Sequence, residues 1–377
     1  MVIFYIVMTL LSIIGGVFIL WKVPLLPSQQ KSNTQNTKLS IIIPARNEEK
    51  NLPILLESLQ KQSFQPDEIL VVDDDSEDNT AKVAEKYGAR VVQFPKNEGD
   101  WVGKAAACYY GAQAAKGDCF SFLDADIFLP TKDSLEKIIG VYNKNTQPSI
   151  LSIQPYHITE KMYENLSVVF NLLVLAGMNR FSILKEKLEP AGAFGPSMLI
   201  DRKTYFEKGG HKRARGSIME NIDLGRIFLE EGVPVELYGG KNSLHFRMYP
   251  EGYKGLAEGW SKSFISGSQS THPLILIGTS FWIAGAFITF FFIPYAWFIG
   301  ESSLLILSIV GYLLYYLQLL RMTRYAGNFH WSVLFFYPVL FLYFVFLFAW
   351  SAIKTHIFKS VSWKGRQINM EENADGK

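Results

Sequence analysis

The feature that most constrains this 377-residue chain is the placement of its long, uncharged, apolar stretches. They lie at residues 1–21, 274–298, 302–320 and 331–353. About 20 apolar residues in a helix cross a hydrocarbon layer roughly 30 Å thick, so each stretch is long enough to span a bilayer. Charged residues are concentrated instead between about 38 and 265. The pattern predicts one soluble domain attached to membrane helices at both ends.

Charges beside these stretches predict the orientation. No lysine or arginine precedes the first stretch, whereas Lys22, Lys31 and Lys38 follow it, as expected of an anchor with a cytoplasmic domain rather than a cleaved signal peptide. Three further crossings would put the C-terminal tail outside, yet that tail is basic, so one stretch is a candidate for dipping without crossing. We predict a multi-pass protein of the cell membrane with an anchor at 1–22, a linker at 23–37, a cytoplasmic soluble domain at 38–265, two or three transmembrane helices within 266–353, and a basic tail at 354–377.

Composition excludes several classes of function. Lysine and arginine total 37 against 35 acidic residues, and no basic stripe with interleaved aromatic residues occurs, so no nucleic acid partner is predicted. Cys108 and Cys119 are the only cysteines, and they lack histidines at zinc-ligand spacing, which predicts neither a disulfide framework nor a zinc site. The apolar stretches contain almost no ionisable groups, which argues against a transporter.

Short β-branched runs alternate with helical patterns in the charged part of the chain. We predict strands at 39–43, 68–72, 89–94 and 119–123, and helices near 49–62, 80–87 and 104–115. This alternation predicts an α/β fold with a mostly parallel sheet covered on both faces. Ligands of such sheets bind beyond the carboxyl ends of the strands, so the polar residues that follow each strand are the candidate site residues.

Acidic residues follow two of these strands. Asp73, Asp74 and Asp75 repel one another unless donors or a cation compensate them, which favours a binding role, such as accepting hydrogen bonds from uracil or ribose, over a surface turn. Asp124 and Asp126 flank one small residue, so both carboxylates can face one point in space. Such a pair suits a hard divalent cation that takes further oxygens from a diphosphate. A plain surface turn is the alternative.

Other polar residues have both a binding and a structural interpretation. Lys104 opens an alanine-rich helix, a position that suits a phosphate group, although a solvated lysine is the alternative. Glu220 and Asp223 lie at the beginning of a later predicted helix. Acidic residues at a helix N-terminus interact favourably with the helix dipole in any protein, so a purely structural role is the alternative. Arg247 and Trp260 precede the second apolar stretch, and they could contact diphosphate and sugar or lie at the level of the lipid headgroups.

Further residues are expected to have structural roles. Pro44 ends the first strand, and Asn47 is a candidate cap for the next helix. The apolar run at 166–176 is too short to cross a bilayer and is expected to form a buried or an interfacial helix. The histidines do not cluster, and we predict structural roles for His157, His211 and His245.

Several motifs together resemble a known family. PARNEE at 44–49, VVDDDS at 71–76, GK at 103–104, DAD at 124–126 and the helix-opening acid at 220 resemble the inverting family 2 glycosyltransferases, whose catalytic domain has the GT-A fold. Carotenoid-glycosylating members of that family are resembled by the stretches SIQPYHIT, FNLLVLAGMNRFS, AFGP, GGHK, FRMYPEGY, EGWSK and VSWKGRQ. The resemblance covers the whole chain, and it implies a Rossmann-like, mostly parallel α/β domain with N- and C-terminal transmembrane helices.

The resemblance also implies a reaction. The chain would be a hexosyltransferase that takes a nucleotide-sugar, with UDP-glucose expected, and glycosylates an apolar lipid or carotenoid acceptor among membrane lipids. The cofactor would be Mg²⁺ or Mn²⁺, bound by Asp124 and Asp126. Catalytic roles are expected for Glu220, Asp223 and Asp126. Binding of the nucleotide-sugar is expected from Pro44, Ala45, Arg46, Glu48, Asp74, Lys104, Asp124, Arg247 and Trp260.

Two residues depart from the family pattern. Asp75 stands where the usual Asp-Gly-Ser sequence has glycine, which puts the turn after the second strand in question. Asn221 stands where most relatives have the carboxylate that acts as general base, and an amide cannot take a proton. The Gln-x-x-Arg-Trp sequence of processive synthases is also absent from the sequence, with Arg247 and Trp260 as partial matches, which favours a single transfer over chain growth.

Asn221 leads to a hypothesis about the acceptor. A hydroxyl acceptor needs a base, which contributes about 10²–10⁴-fold to the rate, whereas a carboxylic acid is already ionised at neutral pH. An amide at 221 is therefore compatible with a carboxylate acceptor and a glycosyl ester product. Two alternatives stay open. One is a glucosyltransferase for lipid hydroxyls of the ceramide or hopanoid type, with Glu220 or Asp223 as base, and the other is a non-catalytic nucleotide-binding membrane scaffold.

Overall fold

The chain divides by packing into two compact units. The computed structural model describes residues 1–27, 37–94, 101–217, 219–261, 270–353, 360–363 and 366–369. The α/β unit comprises residues 24–157, 192–248 and 359–377. The helical unit comprises residues 1–23, 158–191 and 249–358. This division differs from the predicted boundaries at 38 and 265, because residues 158–191 and 249–261 pack with the apolar helices.

A mixed sheet forms the centre of the α/β unit. Its seven strands are β1 (Leu39–Ala45), β2 (Glu68–Asp73), β3 (Arg90–Gln93), β4 (Cys119–Leu123), β6 (Ile150–Gln154), β8 (Ser197–Asp201) and β9 (Val235–Gly239). They are ordered β3–β2–β1–β4–β8–β6–β9, and neighbours are parallel except at β8, which is antiparallel to β4 and β6. The prediction of a mostly parallel α/β sheet is confirmed, and the four predicted strands are all present.

Two smaller sheets are also described. One has three short strands, of which β10 pairs with both others: β5 (Ile127–Phe128), β7 (Tyr156–His157) and β10 (His245–Phe246). The other is an antiparallel hairpin near the C-terminus, formed by β11 (Ser360–Trp363) and β12 (Arg366–Asn369). The basic side chains of the tail, Lys354, Lys359, Lys364 and Arg366, lie outside the described side chains.

Helices connect the strands of the α/β unit. They are α2 (Leu52–Gln60), α3 (Thr80–Lys86), α4 (Lys104–Ala114), α5 (Ser134–Tyr142), α7 (Arg202–Glu207), a 3₁₀ helix (Gly210–Ala214) and α8 (Glu220–Glu230). Ile41, Ile42 and Ile43 of β1 are fully buried, which explains why this strand is a continuous apolar run rather than an alternating one. The suggestion that Asn47 caps the next helix is wrong, because α2 begins at Leu52 and the Asn47 side chain accepts a hydrogen bond from Glu77 N instead.

The helical unit contains most of the apolar stretches. Its elements are α1 (Val2–Ile19), a 3₁₀ helix (Met162–Ser167), α6 (Val168–Gly177), a 3₁₀ turn (Lys185–Lys187), α9 (Tyr253–Trp260), α10 (Pro273–Phe298), α11 (Ser302–Ala326), α12 (Trp331–Phe335) and α13 (Tyr337–Ile353). Of the described helices, α1, α10 and α11 are long and apolar enough to cross a membrane. The stretch at 331–353 is interrupted at Phe336, so that α13 has only 17 residues. Most residues of α6 are buried, so the apolar run at 166–176 forms a buried helix, one of the two alternatives expected from the sequence.

Close packing joins α1 to two other helices of this unit. A Cβ atom added at Gly15 would lie 2.7 Å from the carbonyl oxygen of Gly278 in α10. The side-chain amide of Gln318 in α11 donates a hydrogen bond of 2.7 Å to the carbonyl oxygen of Ile13. Arg321 donates another, of 2.8 Å, to Leu20 O. The N-terminal helix is therefore an integral part of the helical unit, held by backbone contacts that require glycine.

Candidate active site

The turn after β2 carries the buried carboxylate of Asp74. Parallel pairing places Ala45 of β1 opposite Asp73 of β2, so the loops after both strands lie at the same edge of the sheet. Arg46, which is buried, uses Nη1 to donate to the carbonyl oxygens of Asp74 at 2.6 Å and Asp75 at 3.0 Å. The guanidinium expected to bind the nucleotide thus has a structural task as well, because it fixes the backbone of the acidic turn.

The two loops after β1 and β2 hold each other by several hydrogen bonds. These bonds join Asn47 N to Ser76 Oγ, Glu77 N to Asn47 Oδ1, Glu48 N to Thr80 Oγ1, Glu49 N to Asp78 Oδ2, and Asn79 N to Glu49 Oε2. Glu48 also accepts a bond of 2.8 Å from the Asn51 side chain. Much of the PARNEE motif therefore shapes the edge of the sheet, with Pro44 and Ala45 forming the end of β1 itself.

The backbone conformation of Asp75 shows how the turn after β2 forms with aspartate in place of the usual glycine. Its φ is 58°, in the left-handed region that glycine adopts most readily. Aspartate tolerates this region better than most residues because its short polar side chain can bond locally. The turn therefore forms with the aspartate in a left-handed conformation.

Asp124 and Asp126 follow β4 at the same edge. Both side chains are partly buried, and Asp124 N donates a bond of 3.0 Å to the carbonyl oxygen of Pro196. The antiparallel strand β8 explains this contact, because its register pairs Leu123 with Ser197 and thus brings the segment just before β8 to the end of β4. That segment supplies a group not foreseen from the sequence, the carbonyl oxygen of Gly195.

The ammonium of Lys104 lies close to two carboxylates at this edge of the sheet. Its ammonium lies 2.6 Å from Asp124 Oδ1 and 3.9 Å from Glu220 Oε1, and it donates a hydrogen bond of 2.9 Å to Gly195 O. The side chains are 19% exposed for Lys104, 28% for Asp124 and 21% for Glu220, so the three charges lie in a partly water-excluded cluster. The interpretation of Lys104 as a merely solvated lysine does not fit this geometry.

Burial and charge act on the two titratable partners in this cluster. Burial alone would lower the pKa of Lys104, but the carboxylates of Asp124 and Glu220 outweigh it and raise the pKa above its ordinary value. Burial raises the pKa of Glu220, and the Lys104 ammonium offsets only part of that effect. Lys104 is therefore a permanent cation, whereas Glu220 holds its proton more strongly than a solvated glutamate.

Asn221 is held at both ends of its amide. Its Nδ2 donates to Gly195 O, the oxygen that also binds Lys104, and its Oδ1 lies 3.2 Å from His211 Nε2. The hydroxyl of Tyr205 lies 2.9 Å from the other ring nitrogen of His211, Nδ1. Since amide oxygen only accepts, Nε2 carries the proton and Nδ1 accepts from Tyr205. The neutral ring fits its full burial, which lowers the pKa of His211 to about 3.

Two glycines let α8 approach the segment that contains Gly195. A Cβ atom on Gly225 would lie 2.2 Å from Ala193 N, and one on Gly192 would lie 2.0 Å from Ile222 O. These contacts leave no room for a side chain between the two backbones. The first turn of α8, with Glu220 and Asn221, is thereby placed against Gly195.

The remaining expected residues are placed differently. Asp223 accepts from the Ser217 hydroxyl and pairs with Arg226 at 3.1 Å. Arg247 directly follows β10 in the α/β unit and is partly buried. Trp260 belongs to the helical unit, where it is buried, stacks on Phe170 at 4.8 Å and donates from Nε1 to Ser167. Its observed contacts are those of a packing residue.

Asp124 and Asp126 are the candidate ligands for a divalent cation at this edge of the sheet. Among the described residues no group of three or more His, Cys, Asp or Glu side chains could hold a metal ion. Mg²⁺, however, is commonly bound by one or two carboxylates, and phosphates and water complete its coordination. Asp124 and Asp126 supply hard oxygen ligands of that kind, so the residues present fit a cation that arrives with a diphosphate.

Sequence reasoning did not find the partners of Asn221. His211 was expected to be structural, which its burial supports, but its contact with Asn221 depends on a fold that brings the 3₁₀ helix against α8. Tyr205, six residues earlier, carried no signal at all. The stretch GGHK around His211 belongs to the chain's resemblance to its relatives, and only that hint was available.

Comparisons with known proteins extend over nearly the whole chain. Residues 40–208 match the family described as Glycosyl transferase family 2. Over 341 residues the chain is 37% identical to a 4,4'-diaponeurosporenoate glycosyltransferase of Staphylococcus aureus, covering 90% of each protein. A solved mannosyltransferase from Pyrobaculum calidifontis, in complex with GDP-Man and Mn²⁺, matches with a TM-score of 0.55, covering 94% of this chain and 96% of that one. At 14% identity this last similarity shows the fold alone.

Proposed function

Because this chain belongs to the family 2 glycosyltransferases, we propose that it transfers glucose from UDP-glucose, with inversion, to the carboxylate of a membrane-soluble carotenoid acid. An acid such as 4,4'-diaponeurosporenoate would give a glycosyl ester. The similarity to the staphylococcal enzyme named for this acceptor supports the choice of acid. The choice of UDP-glucose rests on the resemblance of the motifs to the family.

The state of Asn221 is the observation that carries the acceptor proposal. Its Oδ1 is bound to His211 and its Nδ2 to Gly195 O, so the side chain at this position neither takes a proton nor turns toward a substrate without breaking buried hydrogen bonds. An acceptor that is already ionised needs no proton removed. A carboxylic acid meets that condition at neutral pH, whereas an alcohol does not.

The cluster around Lys104 would bind the leaving diphosphate. Its ammonium stays charged and lies beside Asp124, where it can bind phosphate oxygens. A bound Mg²⁺ or Mn²⁺ would be held by Asp124 and Asp126 and would neutralise charge that develops on the diphosphate. Asp74 and the turn that Arg46 holds lie at the same edge, after β2, and we assign the nucleoside to them.

The membrane supplies the acceptor in this proposal. Three helices long and apolar enough to cross a bilayer would keep the enzyme where a polyene acid dissolves. Lys22 and Lys38 after the first of them favour a cytoplasmic position for the α/β unit, where nucleotide-sugars are made.

The proposal is tested with two acceptors and one labelled donor. Purified full-length chain receives radiolabelled UDP-glucose and either a polyene acid or a sterol-like alcohol of similar size. We expect a labelled lipid only with the acid, and mild alkali should release its sugar because esters are cleaved and glycosides are not. An alkali-stable product made from the alcohol would contradict the proposal, and an Asp126→Ala variant measures the background without the metal site.

A second candidate function is transfer to a lipid hydroxyl, with Glu220 as base. The raised pKa of Glu220 favours it, because a useful base binds its proton more strongly than a solvated carboxylate. Glu220→Gln separates the two candidates, since we expect that variant to retain transfer to the acid within about tenfold. If turnover is abolished while donor binding survives, a base is required and the carboxylate proposal fails.

A further inference from the structure

The ammonium of Lys104 lies 2.6 Å from Oδ1 of Asp124, one of the two aspartates assigned above to the metal ion. We propose that its ammonium is a resident counter-ion of Asp124, which keeps the affinity for divalent cations low until a diphosphate is present. Metal and nucleotide would then bind cooperatively rather than independently. The inference rests on the metal site of the proposed function and adds a determinant of when that site fills.

The distances show the competition. Lys104 Nζ is 2.6 Å from Asp124 Oδ1, which is the approach of a strong charge-assisted hydrogen bond. A divalent cation bound by the same carboxylate would lie about 2.0–2.6 Å from its oxygen. The two positive charges would then be roughly 4 Å apart, and their repulsion weakens metal binding by more than about tenfold even at the dielectric constant of water.

The ammonium is held in place by a second contact. It donates a hydrogen bond of 2.9 Å to Gly195 O, and that carbonyl is fixed by the amide of Asn221. Asn221 is fixed in turn by His211, which is fully buried. Lys104 therefore loses two short contacts in a partly buried place if it moves away, which a solvated surface lysine would not.

A diphosphate changes this balance in favour of the metal. Its oxygens can accept hydrogen bonds from the ammonium and can also ligate the metal, and its negative charge offsets the repulsion between the two cations. By thermodynamic linkage, if the nucleotide raises the affinity for the metal by some factor, the metal raises the affinity for the nucleotide by the same factor. Lys104 is thus expected to set the size of this coupling.

The test measures Mn²⁺ binding to the full-length protein in detergent, by calorimetry and by the spin resonance signal of free Mn²⁺. Binding is measured with and without UDP, and no acceptor or turnover is involved. Lys104→Gln should bind Mn²⁺ about tenfold or more tightly than wild type when UDP is absent, and UDP should improve its Mn²⁺ affinity by a smaller factor. Lys104→Arg, which keeps the charge, should not tighten Mn²⁺ binding in this way.

Two controls make the outcome decisive. Lys137 of α5 is another mostly buried lysine, and its ammonium lies 2.9 Å from Asp133 Oδ1. Lys137→Gln removes this charge away from the candidate metal site, so it should leave the Mn²⁺ affinity unchanged. Thermal unfolding checks that each variant is folded. Equal or weaker Mn²⁺ binding by folded Lys104→Gln overturns the inference. If Asp126→Ala in the Lys104→Gln background leaves Mn²⁺ binding intact, the metal site of the proposed function is itself wrong.

Discussion

The buried ring of His211 predicts a specific loss of stability in acid. In the folded α/β unit the ring is neutral and bound between Tyr205 and Asn221, and burial lowers its pKa to about 3. In the unfolded chain the pKa returns to about 6.5. The folded state therefore binds fewer protons than the unfolded state between these two values, and stability that is complete above pH 6.5 is lost as the pH falls toward 3.

The magnitude follows from the two pKa values. Each pH unit below 6.5 removes about 1.36 kcal/mol from the free energy of unfolding, so the loss between pH 7.5 and pH 4.5 is about 3 kcal/mol. His211→Gln cannot titrate. At pH 7.5 it should be less stable than wild type by about 1–3 kcal/mol, because the Tyr205 hydroxyl and the Asn221 oxygen lose a partner. At pH 4.5 the variant should be as stable as wild type, or more stable by up to about 2 kcal/mol.

The two cysteines provide an assay confined to the right unit. Cys108 and Cys119 are both buried, both belong to the α/β unit, and are the only thiols of the chain. Their labelling by an aromatic disulfide reagent during a urea titration reports unfolding of that unit alone. His330→Gln, in the helical unit, is the control. If wild type and His211→Gln lose stability in parallel between pH 7.5 and 4.5, the reasoning about His211 is refuted.

Three further predictions concern backbone geometry and charge. Gly225→Ala should destabilise the α/β unit by about 2–4 kcal/mol in the same thiol assay, because its methyl group would meet Ala193 N at 2.2 Å and force two backbones apart; an effect below about 0.5 kcal/mol would contradict the packing. Asp75→Val should be less stable than Asp75→Gly by about 1–2 kcal/mol, since valine strongly disfavours a φ of 58°, and equal urea midpoints would argue against the left-handed turn. Lys104→Gln should weaken UDP binding, measured by calorimetry in Mg²⁺, by about tenfold, since a hydrogen-bonded cation is lost; unchanged affinity would exclude a phosphate contact.

Local sequence signals predicted the strands and most of the acidic edge. β1, β2 and β4 are continuous apolar runs because helices cover both faces of the sheet. Such runs can be recognised in the sequence without knowledge of the fold. The polar residues after them, Asp74 and Asp124, lie at the same edge because parallel strands end on the same side. Here the parallel direction of the strands follows from the alternation of strands and helices.

What the sequence did not predict depends on non-local pairing. The antiparallel strand β8 brings the segment just before it, which includes Gly195, to the end of β4, and no local sequence pattern indicates that position. The bonds from Asn221 to His211 and Gly195 likewise join three separate segments. Asn47 was assigned to a helix cap because capping is a local rule, whereas its side chain bonds across to the loop after β2.

The close fit of α1 has a practical consequence for anyone who wants a water-soluble version of this enzyme. Deleting the first 22 residues would uncover the Gly278 backbone and leave the Gln318 side-chain amide without its acceptor at Ile13. The shortened polypeptide would expose the surfaces of α10 and α11 on which α1 packs. Solubility is therefore better sought with detergents or nanodiscs around the intact polypeptide than by trimming its beginning.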